Sequence, residues 1–303
     1  MKTFIQTGFP STVERTANQS YTHNEINDKM YGGHGQEHSD RIMDLFDSHC
    51  HIDDRAFDAD RDEVVARARK EGVRRMMIAG VNLSSARRAL CLARRYTGVY
   101  AAVGVHPHDT ETCRASTLTD LASLADHSVV RAWGEIGLDF HRMYAPKADQ
   151  EKWFVRQIKI ADGRRLPIIF HERDSEGRFL EILKTMPNAG RRGVVHCFSG
   201  SDADLAAYLD MGFYIGVTGI ITMPQRGARL RRQAAGIPVN RLLIETDAPY
   251  LTPAPCRNHN RRNEPAFVGA VLRKLAEVRG VAAAALARAT SANACRLFGI
   301  DGR

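Results

Sequence analysis

Between Asp44 and Ile300 the sequence alternates eight times between a short apolar run and a longer amphipathic stretch, and few folds accommodate that rhythm. The apolar runs are Leu45–Asp47, Arg75–Ala79, Tyr100–Val105, Val129–Gly134, Pro167–Phe170, Gly193–Val195, Phe213–Val217 and Leu242–Ile244. Helical periodicity occupies Asp60–Glu71, Ser84–Tyr96, Leu118–Ala125, Ala148–Arg164, Ser175–Lys184, Asp202–Met211 and Arg226–Ala234. Two more helical stretches, Glu264–Arg279 and Val281–Leu297, follow the last run. Ser84 and Asp202 stand where helix N-caps belong, and Gly72 and Gly98 stand where helices stop. Eight βα units in about 250 residues predict an α/β fold of the (β/α)8 TIM-barrel type. A doubly wound open sheet is the competing architecture, and it would place a glycine-rich loop after the first strand. Ser48-His49-Cys50-His51 stands there instead, and neither a P-loop nor a GxSxG elbow occurs elsewhere.

Residues 1–43 do not share the rhythm. Thr12–Asp40 is rich in Ser, Thr, Asn, Gln, Gly and His and has no period of 2 or 3.6, so the expectation is a disordered N-terminal extension ahead of a barrel domain over 44–303. His23, His34 and His38 fit no compact metal site, and Met43 is a candidate start for the working protein. No apolar run reaches the ~18 residues of a membrane span. No apolar stretch follows Lys2, as a secretory signal would require. Six scattered cysteines without a CxxC pair predict reduced thiols and a cytoplasmic protein. No separate interface element is visible, which predicts a monomer. The formal charge is +8, and 35 of the 43 basic residues are arginine. Residues 1–43 hold four basic and five acidic groups, so the body carries the whole excess, and a nucleic-acid partner is permitted.

Six histidines lie at or just past the C-terminal ends of predicted strands: His49 and His51, His106 and His108, His171, and His196. Glu135 and Asp247 join them after the fourth and eighth strands. Barrel active sites are built at that face. A His-x-His pair on a strand puts both rings on one side. Each group alone has a structural explanation, as a hydrogen-bonded histidine or a turn acid. Together, so many imidazoles and carboxylates would be costly to leave unpaired in one pocket, and they predict a metal centre. The mixed nitrogen and oxygen set suits a pair of divalent ions, Mg, Mn or Zn. Cys50 and Cys197, each beside a histidine, are expected to point away from the site and pack.

The ordered motifs Asp47-Ser48-His49-Cys50-His51-Ile52-Asp53, Gly104-Val105-His106-Pro107-His108, Gly134-Glu135-Ile136-Gly137-Leu138-Asp139, Phe170-His171 with Arg173-Asp174, His196-Cys197-Phe198-Ser199-Gly200, Glu245-Thr246-Asp247-Ala248-Pro249-Tyr250-Leu251 and Arg262-Asn263-Glu264-Pro265 resemble those of the TatD family of metal-dependent deoxyribonucleases. The resemblance runs from about Asp44 to Ile300. It implies that His49 and His51 bind a first metal shared with Asp247, that Glu135 bridges, that His171 and His196 bind a second metal, and that His106 faces substrate. Glu172 departs from the family pattern, which carries a small, polar or Cys residue there.

A metal pair would activate water against a phosphodiester, and Asp247 could hold that water and take its proton. Arg173, Arg257, Arg261 and Arg262 lie in segments placed near the mouth, where they could bind the phosphate backbone. The leading expectation is a metal-dependent nuclease, with catalytic Asp247, Glu135 and His106 and substrate-binding His106, Arg173 and Arg262. The resemblance makes it a 3′→5′ exonuclease on single-stranded DNA, with RNA as a further substrate. The alternatives are an ester hydrolase on the same site, such as a D-aminoacyl-tRNA deacylase, and a barrel that has lost catalysis and only binds. Glu135 stands where many related barrels carry a carbamylated lysine, which argues against triester and lactam substrates. The complete ligand set argues against lost activity.

Overall fold

The computed structural model describes residues 43–187, 190–257 and 261–301. The expectation for the N-terminal extension, residues 1–43, lies outside them except at Met43, which is partly buried against the core.

Eight parallel strands pair in sequence order: β1 (Leu45–Cys50), β2 (Val73–Ile78), β3 (Val99–Val103), β4 (Val130–Asp139), β5 (Ile168–Arg173), β6 (Gly193–Val195), β7 (Tyr214–Val217) and β8 (Leu242–Ile244). The first and last meet through backbone bonds just past their ends, His51 N to Ala248 O at 2.7 Å and Asp247 N to His49 O at 2.9 Å. Helices α1 (Arg61–Lys70), α2 (Leu83–Arg95), α3 (Ala115–Leu124), α4 (Lys147–Arg164), α5 (Arg178–Thr185), α6 (Asp202–Asp210) and α7 (Ala228–Gly236) lie between successive strands. A short α8 (Ala254–Arg257), then α9 (Val268–Arg279) and α10 (Ala283–Phe298) follow β8. This is the TIM barrel that the sequence rhythm predicts.

Strand periodicity divides the core in two. Phe46, Met77, Ala102, Ala132, Ile169, Val194, Tyr214 and Leu243, one from each strand, are buried in a single cluster with Ala294, Cys295, Leu297 and Phe298 of α10. This cluster is the barrel interior, sealed by the last helix. A larger cluster, including Leu45, Met76, Ala101, Phe170, Ile215 and Ile244, packs between sheet and helices.

Local chemistry sets the helix starts one or two residues from the predicted caps. Asn82, rather than Ser84, caps α2 by accepting from Ser85 N, and Ser201, rather than Asp202, caps α6 in a reciprocal box with Asp204. Gly72 and Gly98 both have positive φ where α1 and α2 run out, as expected.

Candidate metal centre

β1 carries the first pair of histidines. Phe46 points into the barrel, so plain alternation would also send Cys50 inward. The pairing of β1 with β2 is irregular between Asp47 and Cys50, and Cys50 instead packs in the outer cluster. That shift turns His49 and His51 together toward the mouth, with ring centroids 4.9 Å apart. Cys50 therefore packs as expected.

β4 and β5 run further than their apolar stretches suggest, so Glu135 and His171 lie within strands rather than after them. The two strands approach closely there. A Cβ on Gly137 would fall 1.8 Å from the His171 carbonyl oxygen, so only glycine fits. Glu135 Oε1 faces His171 Nδ1 at 2.7 Å, His106 Nε2 at 3.5 Å and His196 Nε2 at 3.8 Å. Its other oxygen, Oε2, faces His49 Nε2 at 3.3 Å and His51 Nε2 at 3.8 Å. Asp247 Oδ1 lies 3.4 Å from His51 Nε2, 3.6 Å from His196 Nε2 and 3.7 Å from His49 Nε2.

Five overlapping groups of ligand atoms lie here; among them are His49–His51–Asp247 and Glu135–His171–His196, and Glu135 turns one oxygen toward each of these two. Donors about 2.1 Å from one ion lie about 3.0–3.4 Å from one another. Most separations here are too long for hydrogen bonds and close to that polyhedron edge. His49 and His51 even turn Nε2 atoms toward each other at 3.1 Å. The opposite ring nitrogens are held from behind, as in metal-binding histidines: His51 Nδ1 lies 3.1 Å from Ala79 O, and His196 Nδ1 lies 2.8 Å from Glu245 Oε1. His49 Nδ1 is buried without a partner, and the contact of His196 Nδ1 with Glu245 is close but out of line for a hydrogen bond. The donor chemistry fits hard or borderline divalent ions.

The electrostatics separate the groups. Burial opposes charge on every one of them. Even so, the imidazoles of His49, His196 and His106 hold Glu135 well below the usual carboxylate range, and His196, His51 and His49 hold Asp247 below it. In return, Asp247 raises His51 to about 9, Asp139 and Glu135 raise His171 to about 9, and Glu245 and Glu135 raise His196 to about 8, each against burial. Burial and the neighbouring His171 push His106 down to about 4, so its ring is neutral. His106 Nδ1 accepts from His108 N at 3.1 Å, which leaves the proton on Nε2.

The centre opens into a cavity of about 590 Å³ at the C-terminal ends of the strands. His51, His106, Glu135, His171, Arg173, His196 and Asp247 line it, while His49 is fully buried beneath. Arg262 is not brought to this cavity. Its guanidinium is engaged by Ala56 O, both oxygens of Asp60 and Glu264 Oε1, and it covers the Phe57 ring at 4.7 Å. Cys197 corrects the other expectation. β6 ends at Val195, Cys197 takes a left-handed φ of 47°, and its side chain lines the cavity near His196 and Asp247. Burial pushes its thiol pKa well up, so it stays protonated.

Several cavity residues carry no signal of their own in the sequence. Arg88, Arg142 and Arg226 line the mouth, as do Tyr144 and Tyr250. Asp139 orients two rings, accepting from His108 Nε2 at 2.8 Å and facing His171 Nε2 at 3.2 Å. It was visible only as the last residue of the Gly134–Asp139 motif. Glu172 lines the cavity with Oε1 tied to Ser175 N and Oγ.

A family model described as TatD related DNase matches residues 46–299. The chain belongs to that family. A 3′-5′ ssDNA/RNA exonuclease TatD of Cronobacter sakazakii is 41% identical over 257 residues, covering 84% of this chain and 97% of the relative. The Escherichia coli K12 protein of the same name is 40% identical, covering 84% and 99%. Among solved structures, the TatD homologue YjjV of E. coli K12 superposes with a TM-score of 0.77 at 31% identity, over 86% of this chain and all of that one. A phosphotriesterase homology protein of E. coli, at 14% identity and a TM-score of 0.60, shares the fold. This TatD-family chain is thus a metal-dependent hydrolase by family and by site. No helix among the described residues is long and apolar enough to cross a membrane.

Proposed function

We propose that this TatD-family chain is a metal-dependent nuclease that removes nucleotides from the 3′ end of single-stranded DNA, with RNA as a second substrate, and works as a monomer in the cytoplasm. The observation that carries the reading is Glu135, whose two oxygens divide between two sets of buried and half-buried donors at the floor of an open cavity. His49, His51 and Asp247 would hold one divalent ion and His171 and His196 the other, with Glu135 between them. Bound there, Mg, Mn or Zn supplies Lewis acidity at phosphate oxygens and makes water acidic enough to be deprotonated near neutral pH.

The protein's own groups supply the rest. Asp247 is ionised and borders the cavity, so it orients the attacking water and takes its proton. His106 is neutral with its proton on Nε2, and it donates to a phosphate oxygen. Arg173, with Arg142 and Arg226, neutralises the backbone along the mouth. None of these three guanidinium groups has a hydrogen-bond or ion-pair partner among the described residues. Arg262 takes no part. The six cysteines are all unpaired, which supports a reducing compartment. The relatives named above are exonucleases, which favours phosphodiester over aminoacyl-ester cleavage.

The test is digestion of single-stranded oligonucleotides labelled at either end, with and without a chelator. Mononucleotides should leave from the 3′ end, the chelator should stop them, and added Mg, Mn or Zn should restore them. Release from the 5′ end, or cleavage indifferent to the chelator, would overturn the assignment.

A further inference from the structure

Two exposed aromatic rings stand on opposite sides of the mouth. Tyr144 is 61% exposed and Tyr250 55% exposed, and both line the cavity. Tyr144 lies on the loop after β4 and Tyr250 on the loop after β8. With the strands ordered one to eight, these two strands face each other across the barrel. Each ring meets one side of the metal centre edge-on. Tyr144 lies 4.8 Å from the His108 ring, beside the set that holds His171, and Tyr250 lies 6.0 Å from the His51 ring, in the other set.

Exposed aromatic surface costs solvation free energy unless something covers it. Here the backbone beneath each ring is fixed by a fully buried amide. Gln150 Nε2 donates to Ala145 O at 2.8 Å and to Asp139 O at 3.1 Å, while its Oε1 accepts from Asp139 N. Asn263 Nδ2 donates to Tyr250 O at 2.5 Å and to Thr246 O at 2.8 Å. Hydrogen-bonded backbone therefore supports both rings, and arginines that can meet phosphate, Arg142, Arg173 and Arg226, line the same cavity. A single strand whose phosphodiester sits over Glu135 can reach one ring on each side of the mouth.

Resting on the nuclease reading above, we propose that Tyr144 and Tyr250 are base-stacking platforms, one holding the nucleobase on the 3′ side of the scissile phosphate and the other the nucleobase on its 5′ side. Stacking needs a face and no particular edge, so this device grips any sequence but requires bases that are out of a duplex. It makes single-strandedness a property of the mouth itself.

The experiment measures binding of a short oligothymidylate with phosphorothioate linkages, with metal added, beside cleavage of the ordinary oligonucleotide. Tyr144→Ala and Tyr250→Ala should each weaken binding roughly 5- to 150-fold, the range of one lost base–aromatic stack. Tyr144→Phe and Tyr250→Phe should stay near wild type. Oligonucleotides with an abasic terminal or penultimate residue then assign the rings: removing one base should erase the penalty of one variant, and removing the other base that of its counterpart. Wild-type binding by both Ala variants, or penalties that persist when both bases are gone, would overturn the proposal. A wild-type protein that shows this base dependence yet leaves ordinary DNA and RNA uncut would overturn the nuclease reading and leave the platforms standing.

Discussion

Arg226 and Arg262 are carried by segments that follow late strands of the same barrel, β7 and β8, and they meet opposite surroundings. Arg262 is clamped by Asp60, Glu264 and the Ala56 carbonyl, and Arg67 shares both carboxylates, so the group is satisfied and ties α1 to the segment after β8. Arg226 lines the cavity with no hydrogen-bond or ion-pair partner among the described residues, as do Arg173 and Arg142. The same contrast holds for carboxylates. Asp60 is matched by two guanidinium groups, while Glu135 and Asp247 lie buried among imidazoles that cannot all be satisfied by one another. Charge that is matched inside the protein stabilises the fold. Charge left unmatched at a mouth is available to metal and phosphate, at a cost in stability.

The largest expected effect probes the unmatched side. Asp247→Asn keeps the shape and one acceptor oxygen but cannot take a proton. Single-turnover cleavage should fall on the order of 10²–10⁴-fold. Oligonucleotide affinity should fall far less, since the arginines remain. Thermal stability without added metal should fall, because the imidazoles that hold Asp247 ionised, His51 among them, lose their counter-charge. A normal single-turnover rate with lost binding would make Asp247 a positioning group, not the base.

Next come Arg226→Ala and Arg173→Ala. Each should weaken oligonucleotide binding several-fold at low salt and reduce the salt dependence of log K by about 0.7, the value for one single-strand phosphate contact. Melting temperature should not move, since no internal partner is lost. An unchanged salt slope would place that arginine outside the strand's path and would blur the distinction between mouth and clamp.

How far the sequence could reach follows from the same distinction. The barrel was legible because every strand has a short apolar run and every helix except the four-residue α8 has its period, and β6 and β8 have the predicted bounds. β1, β4 and β5 run past their apolar stretches because polar residues of the site, His49 in β1, Glu135 and Asp139 in β4 and His171 in β5, interrupt the hydrophobic pattern before the strand ends. The histidines and Glu135 were legible because strand ends in a barrel converge. The fate of each arginine was not, because it depends on partners distant in sequence: Asp60 is 202 residues from Arg262. Cys197 failed the alternation rule because that rule ends with the strand.

The matched side is tested by Arg262→Ala. It removes bonds to two carboxylates and a cation–π contact over Phe57. With side chains only partly screened from water, the loss should be about 1–2 kcal/mol. In a chain of this size that lowers the melting temperature by about 2–8 °C. Nuclease rate and salt dependence should be unchanged at temperatures where the variant is folded. A weakened salt slope instead would mean that the clamp opens to receive the strand.

The smallest effect comes from pH at the same clamp. Arg262 above all holds Asp60 down to about 2 against the ordinary 3.8; burial opposes it, and Arg67 adds to the pull. A carboxylate with a depressed folded-state pKa adds stability that is complete above its unfolded value and is lost as the pH falls through the folded one. The contribution of Asp60 should therefore be present at pH 6, begin to fade near pH 4, and be gone below pH 2. Asp60→Asn removes it at every pH. The difference in denaturant midpoint between wild type and variant should be constant from pH 7 to 5 and shrink below pH 4. Its size should stay under about 1 kcal/mol, because the side chain is nearly one-third exposed and the pair is screened. Repeating the titration in high salt should shrink the plateau and raise the lower edge of the window, since screening weakens the pairing, while the ordinary carboxylate value still sets the upper edge. No difference between wild type and variant from pH 7 to 2 would show that Asp60 contributes through acceptor geometry alone, as an asparagine oxygen could, and the clamp would then owe its stability to hydrogen bonds and the Phe57 contact rather than to matched charge.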